Sequence, residues 1–250
     1  RWREGNVGSH LAFPHPLLVG QWGPTGYLGE DSMLQLLTRR HVAALLLLGM
    51  GTAGLAGVVV PTDAMATDPG ATHDEWLAEL DAEHRLLFDA PSSANGIPLV
   101  HVLNYYDTYN KAYGVADKDV DAVLTFYGST TFHALSDAMW AKYNLGAFLG
   151  EKDPAGKPYT VNPWRTAPIV IGMELPQASI ESLQQRGATF IVCNNALTIF
   201  AGLVAQKQGL DAQAVYADMK ANILPGVTLV PAMVIAIDKA QQAELSYHRQ

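Results

Sequence analysis

The residue in this sequence that is best suited to chemistry is its single cysteine, Cys193. It ends the apolar run 188–193, which predicts a strand, and it is followed by Asn194 and Asn195, a residue type favoured at helix starts. The partial positive charge at the start of a helix favours the thiolate, which is the nucleophilic form of cysteine. We therefore predict Cys193 as a catalytic residue, with Asn194 and Asn195 beside it to bind an anion or a ligand.

An inert thiol is the alternative interpretation of Cys193. Free cysteine is among the most buried residue types and often packs as a small hydrophobic side chain. With one cysteine the chain forms no internal disulfide and no cysteine-only zinc site, and it has no second thiol to resolve a mixed disulfide. A dithiol oxidoreductase is therefore disfavoured, whereas a reactive and a structural Cys193 both stay open.

A second pair of candidate ligand-binding residues follows the apolar run 99–103, which also predicts a strand. Asn104 and Tyr105 come directly after this run. Ligands of open parallel α/β sheets bind beyond the carboxyl ends of the strands. Asn104 and Tyr105 are therefore candidates to line a pocket that faces Cys193. The other interpretation is that Tyr105 belongs to a cluster with Tyr106, Tyr109 and Tyr113 that packs in the core or at a subunit interface.

Other polar residues give weaker signals. The eight histidines show no H-x-x-x-H or H-E-x-x-H spacing, so the sequence predicts neither a metal site nor a cofactor. Ser129, His133 and Asp137 have the residue types of a hydrolase triad, but no G-x-S-x-G turn accompanies them. Helix capping and core packing are the expected roles of these three residues.

The elements that must position these residues alternate along the chain. Strands are predicted at 99–103, 120–127, 169–173, 188–193 and 227–231, and helices at 74–87, 129–143, 177–186, 196–206, 211–221 and 232–243. The Gly- and Pro-rich stretch 146–168 predicts a long loop. This alternation predicts an α/β fold over residues 67–250, a compact three-layer domain with a mainly parallel central sheet flanked by helices.

The amino-terminal quarter has the pattern of an export signal. Residues 1–32 show no regular periodicity, and we expect an unstructured upstream segment of doubtful origin. Residues 33–66 then combine a short basic start, an uncharged stretch at 42–60 and a motif of small residues. This order is typical of a signal peptide.

The details of residues 33–66 favour one export route. Arg39 and Arg40 lie side by side before an apolar stretch that contains four glycines, which is typical of a twin-arginine signal. Ala64 and Ala66 form the predicted A-x-A cleavage site. Ordinary secretory export is the alternative route. The protein is thus expected to be periplasmic, or membrane-anchored if the signal stays uncleaved, since the uncharged stretch is just long enough to cross a bilayer.

The carboxyl-terminal half resembles the DsrE/DsrF-like sulfur-relay family. The resemblance is carried by residues 187–197, which include Cys193 and its Asn-Asn turn, and by residues 224–232, with Gln241 and Ser246-Tyr247 after them. It extends over residues 98–247 and is most specific from Ser182 onward. The family is typically cytoplasmic, so the predicted export signal is a departure from it, as is the insertion at 146–168.

What the resemblance implies is a compact α/β fold that assembles into homo-oligomers. In the catalytic members of the family, the cysteine that matches Cys193 carries a persulfide. The sequence as a whole therefore predicts an exported sulfur carrier or sulfurtransferase. Its expected partner is a sulfur donor or acceptor protein, or a small sulfur compound.

The alternative prediction is a non-catalytic module of the same fold, which binds a small ligand or assembles with a partner and in which Cys193 is structural. A formal net charge of −8 argues against nucleic acid as a partner of either. Contact with a membrane is expected only through an uncleaved signal segment.

Overall fold

The structure is a computed structural model and describes residues 73–250, so the predicted upstream and signal segments, 1–32 and 33–66, lie outside the described residues. Within residues 73–250, five strands form one sheet in which every neighbouring pair is parallel. These strands are β1 (His84–Asp89), β2 (Val120–Phe126), β5 (Thr189–Cys193), β6 (Val227–Val230) and β7 (Ser246–Arg249). Their order across the sheet is β6-β5-β2-β1-β7. Two further strands, β3 (Ile169–Val170) and β4 (Met173–Glu174), form a separate antiparallel hairpin.

The described α-helices mostly connect one strand to the next. They are α1 (Glu75–Ala78), α2 (Ile97–Thr108), α3 (Asp137–Lys142), α4 (Leu145–Leu149), α5 (Ile180–Gln185), α6 (Asn194–Gln208), α7 (Ala212–Ala221) and α8 (Met233–Gln242). Short 3-10 turns occupy Ala94–Gly96, Asp117–Asp119, Gly128–Ala134 and Pro176–Ala178, and a π-helical turn at Tyr109–Tyr113 follows α2. No helix in this part of the chain is long and apolar enough to cross a membrane.

Alternation along the buried strands divides the core between the two faces of the sheet. In β2, Leu124 and Phe126 pack on one face with residues of α2 and α5, whereas Val123 packs on the other face with residues of α1 and α8. Successive side chains of a strand point to opposite faces, so a central strand that is apolar on both faces needs helices on both. The predicted three-layer α/β fold with a mainly parallel sheet is confirmed.

A further hydrophobic cluster lies beyond the sheet. Its buried side chains come from the 3-10 turn Gly128–Ala134, from α3, α4, α6 and α7, and from the segments between them, and none of its buried members belongs to a described strand. Leu197 and Val204 of α6 are fully buried in this cluster. The helix that follows Cys193 is therefore anchored by a core of its own, and its first turn is fixed relative to β5.

Several predicted elements were wrong in type or extent. The run 99–103 belongs to α2 and not to a strand: Leu99, Val102 and Tyr106 are fully buried at helical spacing, and Pro98 lies in the first turn, where helices tolerate it. The predicted helix 74–87 is only the four-residue α1, and its second half forms β1. A short apolar run does not by itself distinguish a strand from a buried helix turn.

Candidate functional site

Cys193 is the last residue of β5 and the residue that caps the start of α6. Its Sγ accepts a hydrogen bond from the backbone N–H of Ala196, in the first turn of α6, at 3.4 Å. It accepts a second from the N–H of Met233, the first residue of α8, at 3.3 Å. The sulfur thus lies at the amino-terminal ends of two helices.

Strand pairing produces this arrangement. β5 and β6 are parallel neighbours, and Cys193 is in register with Val230, so both strands end at the same level and both following helices start there. The N–H of Asn195 donates to the carbonyl of Pro231 at 3.3 Å and joins the two connections directly. The position of Met233 beside the sulfur is therefore set by the register of the sheet.

The electrostatic character of the site follows from the two donors. Unpaired N–H groups at helix starts carry partial positive charge, so two of them directed at one sulfur stabilise negative charge on it. Cys193 as a whole residue is 6% exposed and lies in the hydrophobic cluster around α8. The sulfur is thus held by two backbone donors and is almost closed to solvent.

The side chain of Asn194 is directed away from the sulfur. Asn194 is 4% exposed, and its Oδ1 accepts a hydrogen bond from the Tyr216 hydroxyl of α7 at 2.7 Å. The hydrogen-bond donors at the sulfur are the amides of Ala196 and Met233, which the sequence reasoning did not name. The side chain of a residue that caps a helix accepts hydrogen bonds from backbone N–H groups two or three positions later. The Ala196 donor can therefore be predicted once Cys193 is recognised as the cap.

Asn104 and Tyr105 lie in α2, away from Cys193. Tyr105 lines a cavity of about 320 Å³ together with His84, the first residue of β1, and Ser246, the first residue of β7. This cavity is at the amino-terminal edge of the sheet, whereas Cys193 is at the carboxyl edge. Because residues 99–103 are helical, the chain runs back along the sheet and does not bring Tyr105 to the predicted pocket. Burial, with a smaller contribution from Tyr109, raises the pKa of the Tyr105 hydroxyl.

The carboxyl edge also holds a buried carboxylate at the end of β1. Asp89 is 3% exposed, and its oxygens accept hydrogen bonds from the hydroxyls of Tyr127 and Tyr247. Burial, and then the hydrogen bond to Asp89, raise the pKa of Tyr127. These hydrogen bonds of Asp89 with Tyr127 and Tyr247 join the ends of β1, β2 and β7 at this edge. Among the described residues, no cluster of three or more His, Cys, Asp or Glu side chains could hold a metal ion.

Comparisons with known proteins do not indicate a function for this chain. No family model matches the sequence, and no curated protein matches it. One solved structure that is similar to it is a protein of unknown function from Methanobacterium thermoautotrophicum, with 15% sequence identity and a TM-score of 0.33. The match covers 67% of this chain and 100% of that one. Any proposal about function therefore depends on the chemistry of the residues in this chain.

Proposed function

We propose that the protein is a sulfur carrier that holds a persulfide on Cys193. The observation that carries this proposal is the pair of backbone N–H groups, from the starts of α6 and α8, that donate to Sγ. A sulfur carrier must use its cysteine twice as an anion, first as nucleophile and later as leaving group. Hydrogen-bond donors that are already in place stabilise both states without rearrangement.

The reaction is a sulfur transfer with no net oxidation. The Cys193 thiolate attacks the outer sulfur of a donor persulfide, the donor's S–S bond breaks, and the donor leaves as a thiolate. Cys193 then carries the outer sulfur as a persulfide anion. In the second half, an acceptor thiolate attacks that outer sulfur, and the Cys193 thiolate leaves, stabilised by the amides of Ala196 and Met233.

Export and self-association belong to the same proposal. Residues 33–66 would direct the protein to the periplasm, and the resemblance to the DsrE/DsrF-like family supports a homo-oligomer that exchanges sulfur with a protein or a small sulfur compound. Val234 and Ile235, in the first turn of α8, are 70% and 52% exposed and offer apolar contact area next to the Cys193 site. Light scattering after size-exclusion chromatography measures the oligomer directly, and a monomer would remove this part of the proposal.

The second candidate is a non-catalytic module in which Cys193 only completes the core. The observation that favours it is the 6% exposure of Cys193 within a hydrophobic cluster. In this case the sulfur satisfies two N–H groups that would otherwise be buried without acceptors, and it meets no substrate.

Mass spectrometry after exposure of the folded full-length chain to polysulfide separates the two candidates. The carrier requires an adduct of about 32 Da per added sulfur on Cys193 and none on the Cys193→Ser variant. The structural alternative requires that the folded protein gains no adduct, although the chain unfolded in urea does. The unfolded sample shows that the reagent can modify Cys193 when the thiol is accessible.

A further inference from the structure

The cavity of about 320 Å³ at the amino-terminal edge of the sheet takes no part in the sulfur site. It arises from the register of the edge strands. β7 begins at Ser246, which pairs with Leu86, whereas β1 already begins at His84. The first residues of β1 therefore extend beyond the start of β7, and the segments that lead into the two strands form walls of the cavity.

Aromatic rings form part of the cavity wall. Tyr105 of α2 and Tyr109 of the π-helical turn both line it, with their ring centroids 5.0 Å apart and their planes at 86°. The Tyr109 ring also stacks on the His84 ring at 4.3 Å, which holds it in place. Aromatic rings attract ammonium groups through the negative potential of their faces. This part of the wall is therefore suited to an organic cation.

Two carboxylates line the same cavity. Glu83 directly precedes β1, Glu244 lies in the turn before β7, and both residues are exposed. Within residues 73–250, neither of them forms a salt bridge. Arg85 also lines the cavity, and its guanidinium donates to the carbonyl of Leu80 at 3.5 Å. Two carboxylates against one guanidinium leave the lining negative, which favours a cationic ligand.

Glu244 occupies a backbone position that normally belongs to glycine. Its φ is 63°, and it directly follows the residue that ends α8. The N–H of Glu244 donates to the carbonyl of Gln241 and the N–H of Leu245 to that of Ala240, both at 3.0 Å, which is the Schellman pattern of a helix end. Glycine adopts this conformation without strain, whereas glutamate does not. Helix termination therefore does not explain the glutamate, but a role of its carboxylate in the cavity does.

We propose that this cavity binds a small aliphatic diamine, whose ammonium groups pair with Glu83 and Glu244 and whose methylene chain packs against Tyr105 and Tyr109. Ser246 and the tyrosines add hydroxyl oxygens that accept hydrogen bonds from a primary ammonium, and a quaternary ammonium has no N–H to donate to them. A metal ion fits less well, because no group of three or more His, Cys, Asp or Glu side chains in the described part of the chain could hold one.

Isothermal titration calorimetry of the full-length chain with 1,4-diaminobutane tests this proposal. We expect binding at one site, and an affinity about tenfold lower in Glu83→Gln and in Glu244→Gln, since each variant loses a hydrogen bond to a charged group. Glu79→Gln is the matched control. It removes an exposed carboxylate that lies close to Glu83 along the chain but does not line the cavity, so its affinity should equal that of the wild type.

The Glu244→Gly variant separates binding from folding. Glycine relieves the strain at the end of α8, so the temperature of thermal unfolding should be no lower than that of the wild type. The affinity for 1,4-diaminobutane should nevertheless fall about tenfold, as in Glu244→Gln. A glycine variant that binds as tightly as the wild type would show that the Glu244 carboxylate is not part of a site.

Three other results would overturn the proposal. The first is the absence of a binding heat with 1,4-diaminobutane at two temperatures. The second is an equal loss of affinity in Glu79→Gln, which would mean that the diamine responds only to the overall negative charge. The third is equally tight binding of tetramethylammonium or Mg²⁺, which would show that the cavity does not select a primary diamine.

Discussion

The two sites at the carboxyl edge of the sheet differ in what they are made of. At Cys193, the sulfur contacts backbone amides of two helices, and the residue is 6% exposed. At His133, the ring Nε2 lies 3.1 Å from the side chain of Glu151, which comes from a loop and is 21% exposed. A site built from backbone depends on strand register and tolerates side-chain changes nearby. A site built from side chains depends on the loop that supplies them.

The largest expected difference between the sites comes from Asn162, which holds that loop. Its Nδ2 donates to the carbonyls of His133 and Leu135 at 2.7 and 2.8 Å, and it is 4% exposed. Asn162→Ala leaves these buried carbonyls without donors and should lower the free energy of unfolding by about 3 kcal/mol. Urea unfolding measures this loss.

The same variant separates the two sites in function. The hydrogen bond between Glu151 and His133 should be lost in Asn162→Ala, because the loop that carries Glu151 loses its anchor, while uptake of sulfur by Cys193 should stay within a factor of two. NMR titration of Glu151 and mass spectrometry of Cys193 measure the two effects. Lys157→Ala, at an exposed position of the same loop, is the control and should change neither. Equal losses at both sites would show that they are not independent.

The next prediction concerns the backbone N–H groups that donate to the sulfur of Cys193. Met233→Pro removes the N–H that donates to Cys193 at a helix position where proline is tolerated. Met233→Ala loses a similar buried side chain but keeps the N–H, so it is the matched control. Sulfur uptake should be about tenfold slower in the proline variant than in the alanine variant, since a hydrogen bond to a charged group contributes about 1.5 kcal/mol or more.

The kinetics of persulfide formation, followed by mass, give this ratio. Equal rates in the two variants would mean that the Met233 amide does not stabilise the thiolate.

The smallest expected effect is the response to acid. The pKa of Glu151 is lower in the folded protein than its ordinary value near 4.5, so the ionised carboxylate adds stability above that value and loses it as the pH falls through the folded pKa. The difference in unfolding free energy between the wild type and Glu151→Gln should therefore shrink between pH 5 and pH 3. A difference that stays constant over this range would contradict the stabilising contact between Glu151 and His133.

Local patterns predicted the elements that place Cys193. The strand at 188–193 corresponds to β5, Asp211 caps α7 as its residue type suggests, and Gly209 ends α6 with a φ of 67°. These features depend on neighbours within a few residues of each other, which is why single-sequence reasoning recovers them.

Long-range contacts account for what the sequence reasoning missed. The amide of Met233 reaches Cys193 from 40 residues away, through a strand pairing that no local pattern reports. Glu151 and His133 meet only because the loop folds back onto the turn Gly128–Ala134. Tyr105 was expected near Cys193 because an ambiguous apolar run was interpreted as a strand, and that one error placed it at the wrong edge of the sheet.

Discharge of the loaded protein shows whether Cys193 carries sulfur and passes it on. The chain is loaded with polysulfide, freed of excess reagent and mixed with a small thiol, and the mass of the protein is followed over time. If Cys193 is a sulfur carrier, the persulfide mass on Cys193 disappears while a persulfide of the small thiol accumulates in equal amount. An adduct that never forms, or one that the small thiol does not remove from the folded protein, would contradict it.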